Sequence, residues 1–131
     1  MERFESISAK KAVVCFAAVL CLLVLGGCGK KADENKPVSE VKTEAEKMSV
    51  DKLKSMATTY KDAIVEKQEE IKKLSEKLKD IPVTEMLGEE AKGIKSEVEA
   101  LNKSISALKD RFNVYYDKLK EKGGDVSGLE L

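Results

Sequence analysis

Residues 80–87 read DIPVTEML. They fall between two runs in which apolar residues recur at alternating steps of three and four. The upstream run is Val50, Leu53, Ala57, Tyr60, Ile64, Lys67, Ile71, Leu74, Leu78 and Ile81, with Lys67 its one charged member. The downstream run is Leu87, Ala91, Ile94, Val98, Leu101, Ile105, Leu108, Phe112, Tyr115 and Leu119. This spacing lays one apolar stripe along each of two helices, the heptad rhythm of a coiled coil. Pro82 pushes Ile81 out of helical geometry, so the stretch reads as a turn and not as the middle of one long helix. The expected fold is all-α: an antiparallel two-helix coiled-coil hairpin, with helices over 43–80 and 85–122. Each arm is about 55 Å long at 1.5 Å per residue.

Local signals set the expected ends. Thr43 opens TEAE, a capping-box pattern closed by Glu46. Thr84 is placed to cap the second helix, with Glu85, Glu89 and Glu90 near its positive end. Lys118, Lys120 and Lys122 crowd the last turn, and Gly123 suits the residue after it. The tail 123–131, GGDVSGLEL, has no periodicity and is expected to be disordered.

A turn centred near Pro82–Val83 pairs residues whose numbers sum to about 165. Leu53 then lies by Phe112, Tyr60 by Ile105, and Lys67 by Val98 beside Glu97. The alternative slips by one heptad, sets Tyr60 by Phe112, and needs a longer loop through Gly88. Lys67 has two readings: a polar seam residue that fixes register, or a stem on the seam with its ammonium in water. Gly93, Ala100, Ala107 and Val114 make a second small-residue stripe, which is either a seat for another helix or an exposed face rich in good helix formers. Burial along one narrow seam roughly offsets the cost of ordering a two-helix hairpin. A homo-oligomer or a protein partner is therefore expected. Ile81, Val83, Met86 and Leu87 at the tip are candidates for contact with that partner, or pack locally to seal the end of the coil.

The first residues differ from all of this. Arg3, Lys10 and Lys11 precede the apolar run AVVCFAAVLCLLVL over 12–25, and small residues follow it. A basic head, a short apolar stretch and a small-residue end describe a signal peptide. Leu25-Gly26-Gly27-Cys28 resembles the lipobox of bacterial lipoproteins: Leu, two small residues, then an obligatory Cys. The resemblance covers residues 1–28. It implies that 1–27 is a cleaved leader, that the Cys28 thiol carries diacylglycerol, and that the membrane is reached through that lipid. Two or more acyl chains anchor stably, each buried methylene adding about 0.8 kcal/mol. Cys15 and Cys21 would leave with the leader, so no cysteine remains for a disulfide or a metal. Gly29, where the family's inner-membrane retention signal has Asp, points to the outer membrane facing the periplasm. Residues 28–42, CGKKADENKPVSEVK, then read as a lipidated Cys and a flexible tether spanning on the order of 20 Å.

Composition narrows the function. Charged residues are 37 % of the chain, with 24 basic against 24 acidic, and aromatics are 5 %. A balanced charge gives no long-range pull toward nucleic acid. There is no His, and the carboxylates alternate with lysines at helical spacing, as in EKQEEIKKLSEKLKD over 66–80. Such a face is solvated and laced with i,i+4 pairs. No enzyme activity, cofactor, metal or small-molecule substrate is expected. The expected role is that of a lipid-anchored cell-envelope protein with a structural or interaction function, or of an accessory subunit in an envelope transport or assembly complex.

Overall fold

A computed structural model describes residues 31–131. The described residues are all-helical and contain no strand. The expected leader 1–27, with the lipobox-like residues Leu25, Gly26 and Gly27, and Cys28 lie outside them. Three α-helices follow in order: α1 (Val38–Lys47), α2 (Val50–Asp80) and α3 (Glu89–Glu121). A single turn of 3₁₀-helix, Val83–Glu85, stands between α2 and α3.

The expected helix over 43–80 is corrected to two helices. Val38, Val41, Ala45 and Met48 keep a 3,4,3 spacing, but the next apolar residue is Val50, two positions on. Two positions are about 200° around a helix, so one continuous helix would carry the two stripes on opposite faces. The chain breaks instead. Met48 is extended (φ −80°, ψ 145°), and the Ser49 hydroxyl accepts from the Lys52 amide at 3.4 Å. Serine favours this capping role over a helix interior. The Lys122 ammonium donates to the carbonyls of Glu46 and Met48, at 2.8 Å each, where α1 leaves acceptors unpaired. Thr43 is therefore no cap; its hydroxyl donates to the Ser39 carbonyl inside α1.

Over its described residues, the expected tether 28–42 is corrected by the same helix. Val41 and Ala45 are fully buried against α3, and Met48 is nearly so. Lys36 meets Arg111 and Glu46 meets Lys122, so α1 runs alongside α3 in the same direction. The tail 123–131 is corrected too. Leu129 is 3 % exposed within the core, Lys61 donates to the Gly128 carbonyl at 2.5 Å, and Lys54 pairs with Asp125 at 2.8 Å. That lysine, with Ser127, holds the Asp125 carboxyl well below the usual carboxylate range. Gly123, at φ +71°, makes the left-handed turn that sends the tail back over the helices.

The turn between α2 and α3 is longer than expected. Thr84 lies in the 3₁₀ turn, and α3 starts at Glu89 behind Gly88. A Cβ on Gly88 would stand 3.0 Å from the Glu85 carbonyl oxygen, which itself accepts from the Gly88 amide at 2.8 Å. The extra residues move the pairing of the two helices. The Tyr60 and Tyr115 rings lie 5.4 Å apart, tilted by 38°. In the register that sums to 165, Tyr60 faces Ile105, ten residues or about 15 Å from Tyr115. That register is corrected toward the longer-loop alternative.

Burial is uneven along the helix pair. On α2 the buried residues are Leu53, Met56, Ala57, Tyr60 and Ile64. On α3, apart from Ala91, they run from Ile105 to Leu119. Here α1 and the tail cover the pair. Toward the turn no other described residue covers it, and Ile71, Leu74, Leu78, Ile94, Val98 and Leu101 are only half-buried. Residues 31–131 thus form a closed base and a two-helix stalk.

Candidate interaction surfaces

The tip is the most exposed apolar feature of the described residues. Val83 is 89 % exposed and Leu87 83 %, whereas Ile81 and Met86 are half-buried. Leu87, expected to open the second seam, is outside it because α3 begins two residues later. The Glu85 amide donates to Pro82 and the Met86 amide to Val83, so the turn satisfies these amides internally. Asp80, Glu85, Glu89 and Glu90, in the same stretch of chain, are exposed as well.

Lys67, expected by Val98, lies instead at the level of Ser104 and Leu108. Its ammonium lies 3.8 Å from a Glu34 oxygen, and the same oxygen accepts from the Ser104 hydroxyl. The N-terminal segment therefore bridges α2 and α3 at this level. Other bonds hold it. The Tyr60 hydroxyl accepts from the Asp33 amide at 3.1 Å and donates to the Asp33 carbonyl at 3.2 Å. Arg111, 9 % exposed, donates from Nε to the Lys36 carbonyl at 2.8 Å and from Nη1 to Ala107 at 2.6 Å. Lys36 pairs with Glu44 at 2.5 Å, and this hydrogen-bonded carboxylate raises the lysine's pKa. Residues 33–47 form a strap across the base, fixed by side chains from both long helices.

Beneath the strap, Tyr115 is fully buried and its hydroxyl has no partner among the described residues. Burial first, then the neighbouring Tyr60 and Glu44, pushes its pKa from 10.0 to about 12. The neutral phenol is the form that the fold accepts. Its contribution is complete below pH 10 and is lost as pH rises toward 12, costing about 2 kcal/mol. One of the three tyrosines should therefore ionise late in an absorbance titration. Tyr115→Phe should abolish the late phase and stabilise the protein by about 1 kcal/mol in urea unfolding, because it removes an unpaired buried hydroxyl.

A shallow groove between α1 and α3 is lined by Lys42, Glu46, Val114, Asp117, Lys118 and Glu121. Lys118 and Glu121 pair at 2.6 Å, which raises the lysine's pKa and lowers the glutamate's. Charges of both signs on an open surface give this groove no preference for a charged ligand. Among the described residues no group of three His, Cys, Asp or Glu side chains is placed to hold a metal ion. No described helix is long and apolar enough to cross a membrane.

Comparison of the chain with protein-family models, with characterised proteins and with solved structures finds no match.

Several residues that build the base were outside the sequence expectation. The 3,4,3 spacing of Val38, Val41, Ala45 and Met48 is a legible helix signal, masked by its proximity to the longer seam. Arg111 sits beside the seam residue Phe112, where a cation reads as solvated. Leu129 belongs to irregular chain, and periodicity carries no signal for it.

Proposed function

We propose that this chain is a non-catalytic, lipid-anchored protein of the bacterial cell envelope, acting as a structural or interaction element through its helix pair. The lipobox residues Leu25-Gly26-Gly27-Cys28 support the anchor and the envelope location, with the outer membrane facing the periplasm. On this reading the long helices work as a coiled-coil hairpin and present the tip to a protein partner. The observation that carries it is the exposure of Val83 and Leu87, two large apolar side chains outside any internal packing.

The same observation favours the second reading, an accessory subunit of an envelope transport or assembly complex that docks through the tip. The argument for a partner now rests on the stalk and tip, since α1 and the tail supply the missing cover at the base within one chain. Replacing Val83 and Leu87 together by Asp tests the tip. Helicity should be unchanged and stability should move by no more than about 0.5 kcal/mol, because neither side chain is packed. Cross-links to neighbouring proteins in the native envelope should disappear. An unchanged cross-linking pattern sinks the tip as the contact.

A further inference from the structure

We infer that the anchored protein lies side-on to the bilayer, with the middle of its helix pair held near the headgroups and neither end standing on the membrane. This rests on the proposed lipid at Cys28. The observation behind it is where the first described residues lie along the helices. Ala32 packs against the core, and Lys31, Ala32 and Glu34 share a cavity lining with Ala63, Lys67 and Leu108. Ala63 and Lys67 flank Val65, the midpoint of the 31-residue α2. At 1.5 Å per residue, each end of α2 is about 23 Å from this level.

Four peptide units separate Ala32 from Cys28. Fully extended they span about 13–14 Å. An upright hairpin, base down or tip down, would put the exit point about 23 Å or more above the headgroups. The chain is too short to bridge that height. The tether read from sequence, 28–42, would have allowed any orientation; the strap removes most of its length. Only poses closer to the membrane plane than to its normal remain. Lys31 is exposed at the exit and Lys30 precedes it, so ammonium groups suited to anionic headgroups lie next to the anchor.

The test uses the lipidated full chain in vesicles of phosphatidylethanolamine and phosphatidylglycerol that carry a headgroup acceptor dye. A donor is attached in separate variants at Lys47→Cys, at the base, and Glu85→Cys, at the tip. Energy transfer to the headgroups should be strong and comparable at the two positions. It should fall at both when a flexible Gly/Ser linker reaching about 20 Å is inserted after Gly29. Transfer about tenfold weaker at one position than at the other, as an upright helix pair of about 46 Å requires, would overturn the inference. Weak transfer at both would overturn it as well. A mature chain whose mass shows no diacylglyceryl group on Cys28 would overturn the anchor reading itself, and this inference with it.

Discussion

Val41→Asp should detach α1 from the base. Val41 is fully buried in a helix of ten residues, and with Ala45 it forms that helix's whole buried face, which Met48 just beyond the helix end extends. A carboxylate placed there faces α3 and the apolar core, where the buried cation Arg111 is already committed to the Lys36 and Ala107 carbonyls. It either takes up a proton or leaves for water, and leaving takes α1 with it. A short helix freed from its packing does not persist alone in water. The expected result is the loss of α1's share of helical ellipticity and a fall of about 3 kcal/mol or more in unfolding free energy. Val41→Ile at the same position should cost less than about 1.5 kcal/mol. Circular dichroism with urea unfolding checks both, and an unaltered signal in the Asp variant would show that α1 adds nothing to the base.

Phe112→Ala should be comparably severe for a different reason. Phe112 is 4 % exposed, and its ring lies 5.6 Å from that of Tyr116, tilted by 30°. Removing the ring leaves a void in the one region where α1, α2, α3 and the tail close over each other. The expected cost is about 3–5 kcal/mol, including the lost aromatic pair. The contrast with the stalk makes the measurement informative. Leu101 is only half-buried between two helices, so Leu101→Ala should cost about 1–2 kcal/mol, with less transfer energy lost and a site open enough to collapse. Equal costs at the two sites would contradict the division into closed base and thin stalk.

These two sites also mark how far the sequence could be read. Phe112 belonged to a ten-residue seam whose period is visible without any structure. Val41 belonged to a four-residue stripe of the same period, hidden because Thr43 with Glu46 imitates a helix start. The competing signal was Ser49, a better cap, placed where the stripe changes face. The tip was legible as a turn from Pro82, but its length was not. A local reading ends the connection at Thr84, whereas the tyrosine rings settle at a pairing that only the longer loop through Gly88 allows. Register is a long-range quantity: slipping one heptad keeps every apolar residue on its stripe, so the pattern alone does not choose between slips.

The sequence by itself determined the helical class, the position of the break at Pro82, the inward faces of both long helices, and the stop at Gly123. All of these follow from interactions between residues a few positions apart, where spacing, capping and backbone restriction act. Tertiary structure alone decided that residues 33–47 strap the base, that Leu129 returns into the core, and that Lys67 lies by Glu34 and not by Val98. It also decided which half of the seam is covered. The physical reason is that each of these brings together groups distant in the chain, and their gain depends on what else is already packed there. An apolar stripe states that it must be buried; only the assembled fold states by what.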